Sequence, residues 1–187
     1  MDFIIFIPIY LTEALEVDPS KASLGLSAFA GGMFVALIVS SFFYDRLSKR
    51  QLVWTLGGLL SSSCCCVLLL WCLEGIPLSP GMKLPTAMVS IFVFGFTISP
   101  AYYVPMSVFS IAFGGKHSGF LIALIDVFGY SGALVFTFFG GSIAQDYGWS
   151  VFLAILLTIT LLSLVTMTTF LHLDFRAQWK EPDTTSA

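Results

Sequence analysis

Five uninterrupted apolar blocks dominate this chain, and each is long enough to cross a bilayer. They lie near 24–43, 52–73, 86–109, 119–142 and 150–171. About 20 helical residues cover the hydrocarbon of a membrane. Away from water a backbone must satisfy its own N–H and C=O groups, so only helices or closed barrels can span. Barrel strands alternate apolar and polar residues over about ten positions. These blocks do not alternate, so the expected class is an all-α membrane protein. A sixth block, 3–11, would cover about half the hydrocarbon at 1.5 Å per residue and reads as a partial, truncated helix. The membrane unit is expected over 1–173, with a polar tail at 174–187.

Composition closes off the alternatives. Charged residues make up 10% of the chain, with 8 Lys+Arg against 11 Asp+Glu, whereas a soluble domain carries about 25%. The mean hydropathy is +0.94. This excludes a soluble enzyme and a disordered chain. A net charge of -3 offers no basic footprint for nucleic acid. Asp2 stands where a signal peptide would carry a basic residue. Cys64, Cys65, Cys66 and Cys72 share one block, and neighbours on a helix point about 100° apart. They read as small packing residues. No metal site or cofactor is expected.

Lysine and arginine set the orientation. Alternate loops carry Arg46, Lys49, Arg50, Lys116, Arg176 and Lys180 on one side, and only Lys21 and Lys83 on the other. The positive-inside rule places the first set, and the C-terminus, in the cytoplasm. Asp18 and Pro19 form a helix start, an N-cap followed by a residue suited to the first turn. Trp54, Trp71 and Trp149 fall at block ends, where indole rings favour the interface.

Three patterns can carry function. Asp126 is the one ionisable residue well inside a full span, roughly 10 Å along the helix from Gly119. A charged carboxyl there costs about 2.5–3.5 kcal/mol on insertion scales, so it should face the bundle or a watery cavity. Its helical face also carries Gly129, Tyr130, Ala133, Thr137 and Gly140. It reads as a proton or cation site or a polar gate, or else as a helix–helix hydrogen bond. The block at 86–109 contains Pro100 and Pro105, which remove two backbone donors and predict a broken, kinked helix. Ser99, Tyr103 and Ser107 share a face beside that break, and interrupted helices tend to border a substrate path. Alternatively it is a plain kink, with serine hydroxyls bonded to the freed carbonyls. Ala28, Gly32, Ala36 and Ser40 recur every four residues, as do Gly58, Ser62 and Cys66. Such small faces permit close helix contact, and Gly129 and Gly132 offer a similar surface.

Catalytic readings fail on residue types. Tyr44-Asp45 supplies half of an intramembrane aspartyl protease site, but Asp126 follows Ile125 and the partner G-x-G-D motif is absent. Gly25-Leu26-Ser27 could mimic a rhomboid serine site. That chemistry needs a base, and His117 and His172 lie at span edges.

The loop Ser41-Phe42-Phe43-Tyr44-Asp45-Arg46-Leu47-Ser48-Lys49-Arg50 resembles the repeated G-x-x-x-D-R-x-G-R-R pattern of the major facilitator superfamily. The Asp-Arg pair and the final basic pair are kept, and both glycines are replaced. Pro8-Ile9-Tyr10-Leu11-Thr12-Glu13 is similar to the outer end of the seventh helix in the organophosphate antiporter branch. Gly119-Phe120, Phe128-Gly129-Tyr130, Gly132 and Asp146-Tyr147-Gly148-Trp149 are similar to its eleventh helix and exit. The resemblance implies a C-terminal six-helix half, with solute held between two halves at the midplane. It implies alternating access and a gating role for Asp45, Arg46, Lys49 and Arg50. It also implies a partner: a missing N-terminal half or a second copy. The cargo would be a small solute, with an organic anion or sugar phosphate as one candidate. No Lys or Arg lies inside a complete span, and Asp126 would repel an anion unless protonated or paired, so a proton- or cation-coupled solute is another. A membrane receptor or scaffold, or an inactive truncated product, remains the alternative.

Overall fold

The computed structural model describes the backbone of residues 3–43, 46–76 and 80–178. Side chains are described there except at 3, 49, 80, 81, 104, 105, 107–113, 171 and 174–178. Six α-helices follow one another: α1 (Phe3–Glu13), α2 (Pro19–Phe43), α3 (Lys49–Gly75), α4 (Pro80–Gly114), α5 (Ser118–Tyr147) and α6 (Trp149–Gln178). A 3-10 turn, Gly115–His117, leads into α5. Among the described residues there is no strand. Five helices are long and apolar enough to cross a membrane.

Every expected block lies within an observed helix, and the helices run a few residues further at their ends. Their starts and stops follow local chemistry. The Asp18 carboxylate accepts from the Ser20 N–H at 2.8 Å and the Ser20 hydroxyl at 2.6 Å, as an N-cap should. Those two bonds hold the exposed Asp18 carboxyl below its ordinary pKa. Ser48 forms a reciprocal capping box with Gln51 at the start of α3. Gly148 links α5 to α6 with φ +86°, a left-handed conformation that suits glycine. Its N–H closes α5 on the Ala144 carbonyl at 3.1 Å.

The closest crossing is α2 on α4. A Cβ at Gly32 would collide with the Phe92 carbonyl, and one at Gly95 with the Phe29 carbonyl. The two glycines thus seat each helix against the other's backbone, the contact that small residues permit in lipid. Ala36 is fully buried and Ala28 packs at the core edge. At α3 and α4 the hydroxyls of Ser63 and Thr97 hydrogen-bond at 2.7 Å. The Tyr10 hydroxyl ties α1 to α3 by donating to the Leu70 carbonyl at 2.7 Å.

Four expectations need correction. The helix containing Pro100 is not broken: α4 is continuous from Pro80 to Gly114, because surrounding helices tolerate the missing donor of a membrane proline. Gly132 packs against nothing, with no atom within 4 Å of an added Cβ, and Gly129 meets only the Tyr102 hydroxyl at 3.4 Å. On α3 the packing face is Leu56, Leu60, Ser63, Val67 and Leu70, whereas Gly58 faces open space. Trp149 is not at a wet edge. It is 7% exposed, and its indole N–H donates to Glu13 Oε2 at 3.0 Å. Cys64 and Cys66 are buried, and all four cysteines are free thiols.

Candidate functional site: a polar face on α4 and α5

Alone among the spans, α5 contributes no buried residue along its most apolar stretch. One side of it is nonetheless unsuited to lipid. Asp126 is half-buried, and the Tyr102 hydroxyl of α4 donates to its Oδ1 at 3.3 Å. Gly129, one turn on, leaves room for that phenol, whose oxygen is 3.4 Å from an added Cβ. Tyr103 meets the Tyr102 ring edge-to-face at 5.1 Å. Tyr130 projects from α5, 73% exposed, and Tyr103 is 41% exposed. Three phenols and a carboxylate therefore cluster where α4 meets α5, with Tyr103 and Tyr130 on the exposed side.

At its other end the same face of α5 closes onto the bundle. A Cβ on Gly140 would lie 3.0 Å from Phe6 and 3.2 Å from Phe152. Phe6, Phe136 and Phe152 interlock with centroids 4.9–6.0 Å apart. The Trp149 ring extends this aromatic seal to Tyr10 at 5.5 Å. The polar face is thus open around Asp126 and shut near Glu13 and Trp149.

The structure brings Asp126, Tyr130 and Tyr103 to one place, but it does not bring Ser99 there. Ser99 is fully buried, and its hydroxyl oxygen has no hydrogen-bond partner, so it is not bonded to a freed carbonyl either. The Ser107 and Lys49 side chains and Asp45 lie outside the described residues. Arg46 and Arg50 are exposed near the α2–α3 junction. Sequence reasoning missed Tyr102, whose role appears only when α4 meets α5. It also missed Gly95, which lies outside the four-residue repeats that drew attention to Gly32, and it placed Gly140 on the Asp126 face without seeing that it packs on Phe6 and Phe152. Among the described residues no group of three His, Cys, Asp or Glu could hold a metal ion.

Long apolar helices, short connections and a carboxyl–phenol pair within the bundle define a multi-pass integral membrane protein. The chain belongs to the major facilitator superfamily, whose profile matches residues 2–186. Membership implies membrane transport of small solutes, and six helices fit half of that fold. No curated protein and no solved structure gives a significant match.

Proposed function

We propose that the chain acts as the C-terminal half of a secondary transporter, moving a small solute by alternating access. The observation that carries this reading is the open polar face of Tyr102, Tyr103, Asp126 and Tyr130 on helices that otherwise show lipid-compatible surface. A second six-helix unit, from a longer chain or a second copy, would complete the cavity on that side. The charge asymmetry supports a cytoplasmic Arg46–Arg50 loop and C-terminus, so the open end of the face is directed to the cytoplasm. Asp45, Arg46, Lys49 and Arg50 fit a latch between helix ends, which would bias one of two packed arrangements.

An organic anion or sugar phosphate is the first cargo to test. The resemblance to the organophosphate antiporter branch suggests it. Asp126 as a hydrogen-bonded acid supports proton-coupled uptake as the competing version. The test is flux into proteoliposomes containing the complete protein, with labelled sugar phosphates and organic acids, with and without a pH gradient. Saturable uptake with counterflow is expected for at least one class. Binding of solute with no flux under any gradient would instead support a receptor or scaffold.

A further inference from the structure

We propose that a groove between α3 and α6 is a binding site for an anionic phospholipid. The groove has a volume of about 790 Å³ and is lined by Arg50, Trp54, Gly57, Gly58, Thr168 and His172, among others. It lies on α3 and α6, apart from the Asp126 face on α4 and α5.

Three observations lead to a lipid rather than to lipid solvent alone. The first is the empty floor. Gly57 and Gly58 sit side by side inside α3, where each glycine weakens a helix by about 1 kcal/mol relative to alanine. Close packing does not demand the second one, since nothing lies within 4 Å of a Cβ at Gly58. Their effect is to hold the groove open.

The second observation is the charge at its mouth. Arg50 stands in the first turn of α3, which contains no acidic residue. A cation at a helix N-terminus is opposed by the macrodipole, so Arg50, besides its part in orientation and the latch, would gain from an anion held at the groove mouth. His172, from the last turns of α6, adds an imidazole donor to the same groove, and among the described residues no acidic one lines it. Trp54 is 74% exposed at the same level, where indoles sit at headgroup depth.

The third observation is polarity along the groove. Arg50 to Ser61 is a rise of about 16 Å on an α-helix, close to one leaflet of a hydrocarbon core about 30 Å thick. Over that depth the Ser61 and Thr168 hydroxyls are bonded within their own helices. Ser61 donates to the Gly57 carbonyl at 2.8 Å, and Thr168 donates to the Leu164 carbonyl at 2.7 Å. The Thr168 methyl group lies 3.5 Å from an added Cβ at Gly57. The deep wall is therefore apolar while the mouth is cationic. A headgroup phosphate would meet Arg50 and His172, and one acyl chain would lie along Gly57, Gly58 and Leu164. Basic pockets between membrane helices take anionic headgroups in this way.

Native mass spectrometry of the full chain, released from detergent with added phosphatidylglycerol or phosphatidylcholine, tests the site. Phosphatidylglycerol is expected to be retained in preference. Arg50→Gln should weaken its retention about fivefold, the equivalent of one basic residue near a membrane surface. Gly58→Leu fills open space, so the fold should persist while retention falls at least as far. Lys21→Gln, at the opposite end of the bundle, should change nothing. Equal retention of both lipids, or unchanged retention in a folded Gly58→Leu variant, would overturn the proposal. Full displacement by soluble glycerol phosphate would overturn it too, because the site would then read phosphate without the chain.

Discussion

Gly32→Ala is expected to cost about 3 kcal/mol, the upper part of the range for overpacking. The new methyl would strike the Phe92 carbonyl oxygen and crowd the Phe96 N–H. Both are backbone atoms of a continuous helix and cannot rotate aside as a side chain would. Total stabilities are only about 5–15 kcal/mol, so one methyl should lower the thermal midpoint of the detergent-solubilised protein sharply. Gly95→Ala should do nearly the same, since its Cβ meets the Phe29 carbonyl on the partner helix. The double variant should fall short of the sum, because both changes push apart one crossing. Gly132→Ala is the control: its Cβ enters open space, and alanine gains roughly 0.5–1 kcal/mol over glycine in a helix. A wild-type midpoint for Gly32→Ala would mean that α2 and α4 do not cross there.

Asp126→Asn is expected to abolish pH-dependent uptake by the complete transporter while leaving counterflow exchange. Asparagine can still accept from the Tyr102 hydroxyl, which lies 3.3 Å from the native carboxylate, so the contact between α4 and α5 should survive. It cannot take up or release a proton. Coupling between two sites commonly amounts to 1–3 kcal/mol, so uptake driven by a proton gradient should fall roughly tenfold or more at matched surface expression. Tyr102→Phe separates the roles further. It removes the donor and keeps the acid, so gradient-driven uptake should weaken but retain its pH dependence. An Asp126→Asn variant with the full pH response would reduce this acid to a packing hydrogen bond.

Most of the fold was legible because membrane helices announce themselves. Each must be about 20 residues long, apolar and internally hydrogen-bonded, and those demands are written locally. The Asp18 cap and the Gly32 face could be read for the same reason, since both are matters of a few neighbouring residues. What was hidden depends on partners distant in sequence. Trp149 sits at a helix start, which suggests an interfacial ring, yet Glu13, 136 positions away, draws its N–H into the bundle. Pro100 carries a local instruction to break the helix, and the packing of α4 overrides it. The candidate site shows the same division. Asp126 is conspicuous by being ionisable within a span, whereas Tyr102 becomes significant only through a contact 24 residues away. Ser99 was grouped with Tyr103 by helical spacing, but four residues separate a buried hydroxyl from a half-open phenol.

The central claim is that one side of α5 meets water and solute while the other meets lipid. Tyr130 lies near the Asp126 side of the helix. Val135, nine residues beyond Asp126, points half a turn away at 100° per residue, and both are exposed in the six-helix unit. The direct measurement uses single cysteines at these two positions in the full-length protein, with Cys64, Cys65, Cys66 and Cys72 replaced by alanine. A water-soluble maleimide should label Tyr130→Cys in membranes, and transported solute should slow that labelling, while Val135→Cys should stay unlabelled. Equal labelling at both positions, or labelling of Val135→Cys alone, would contradict the claim.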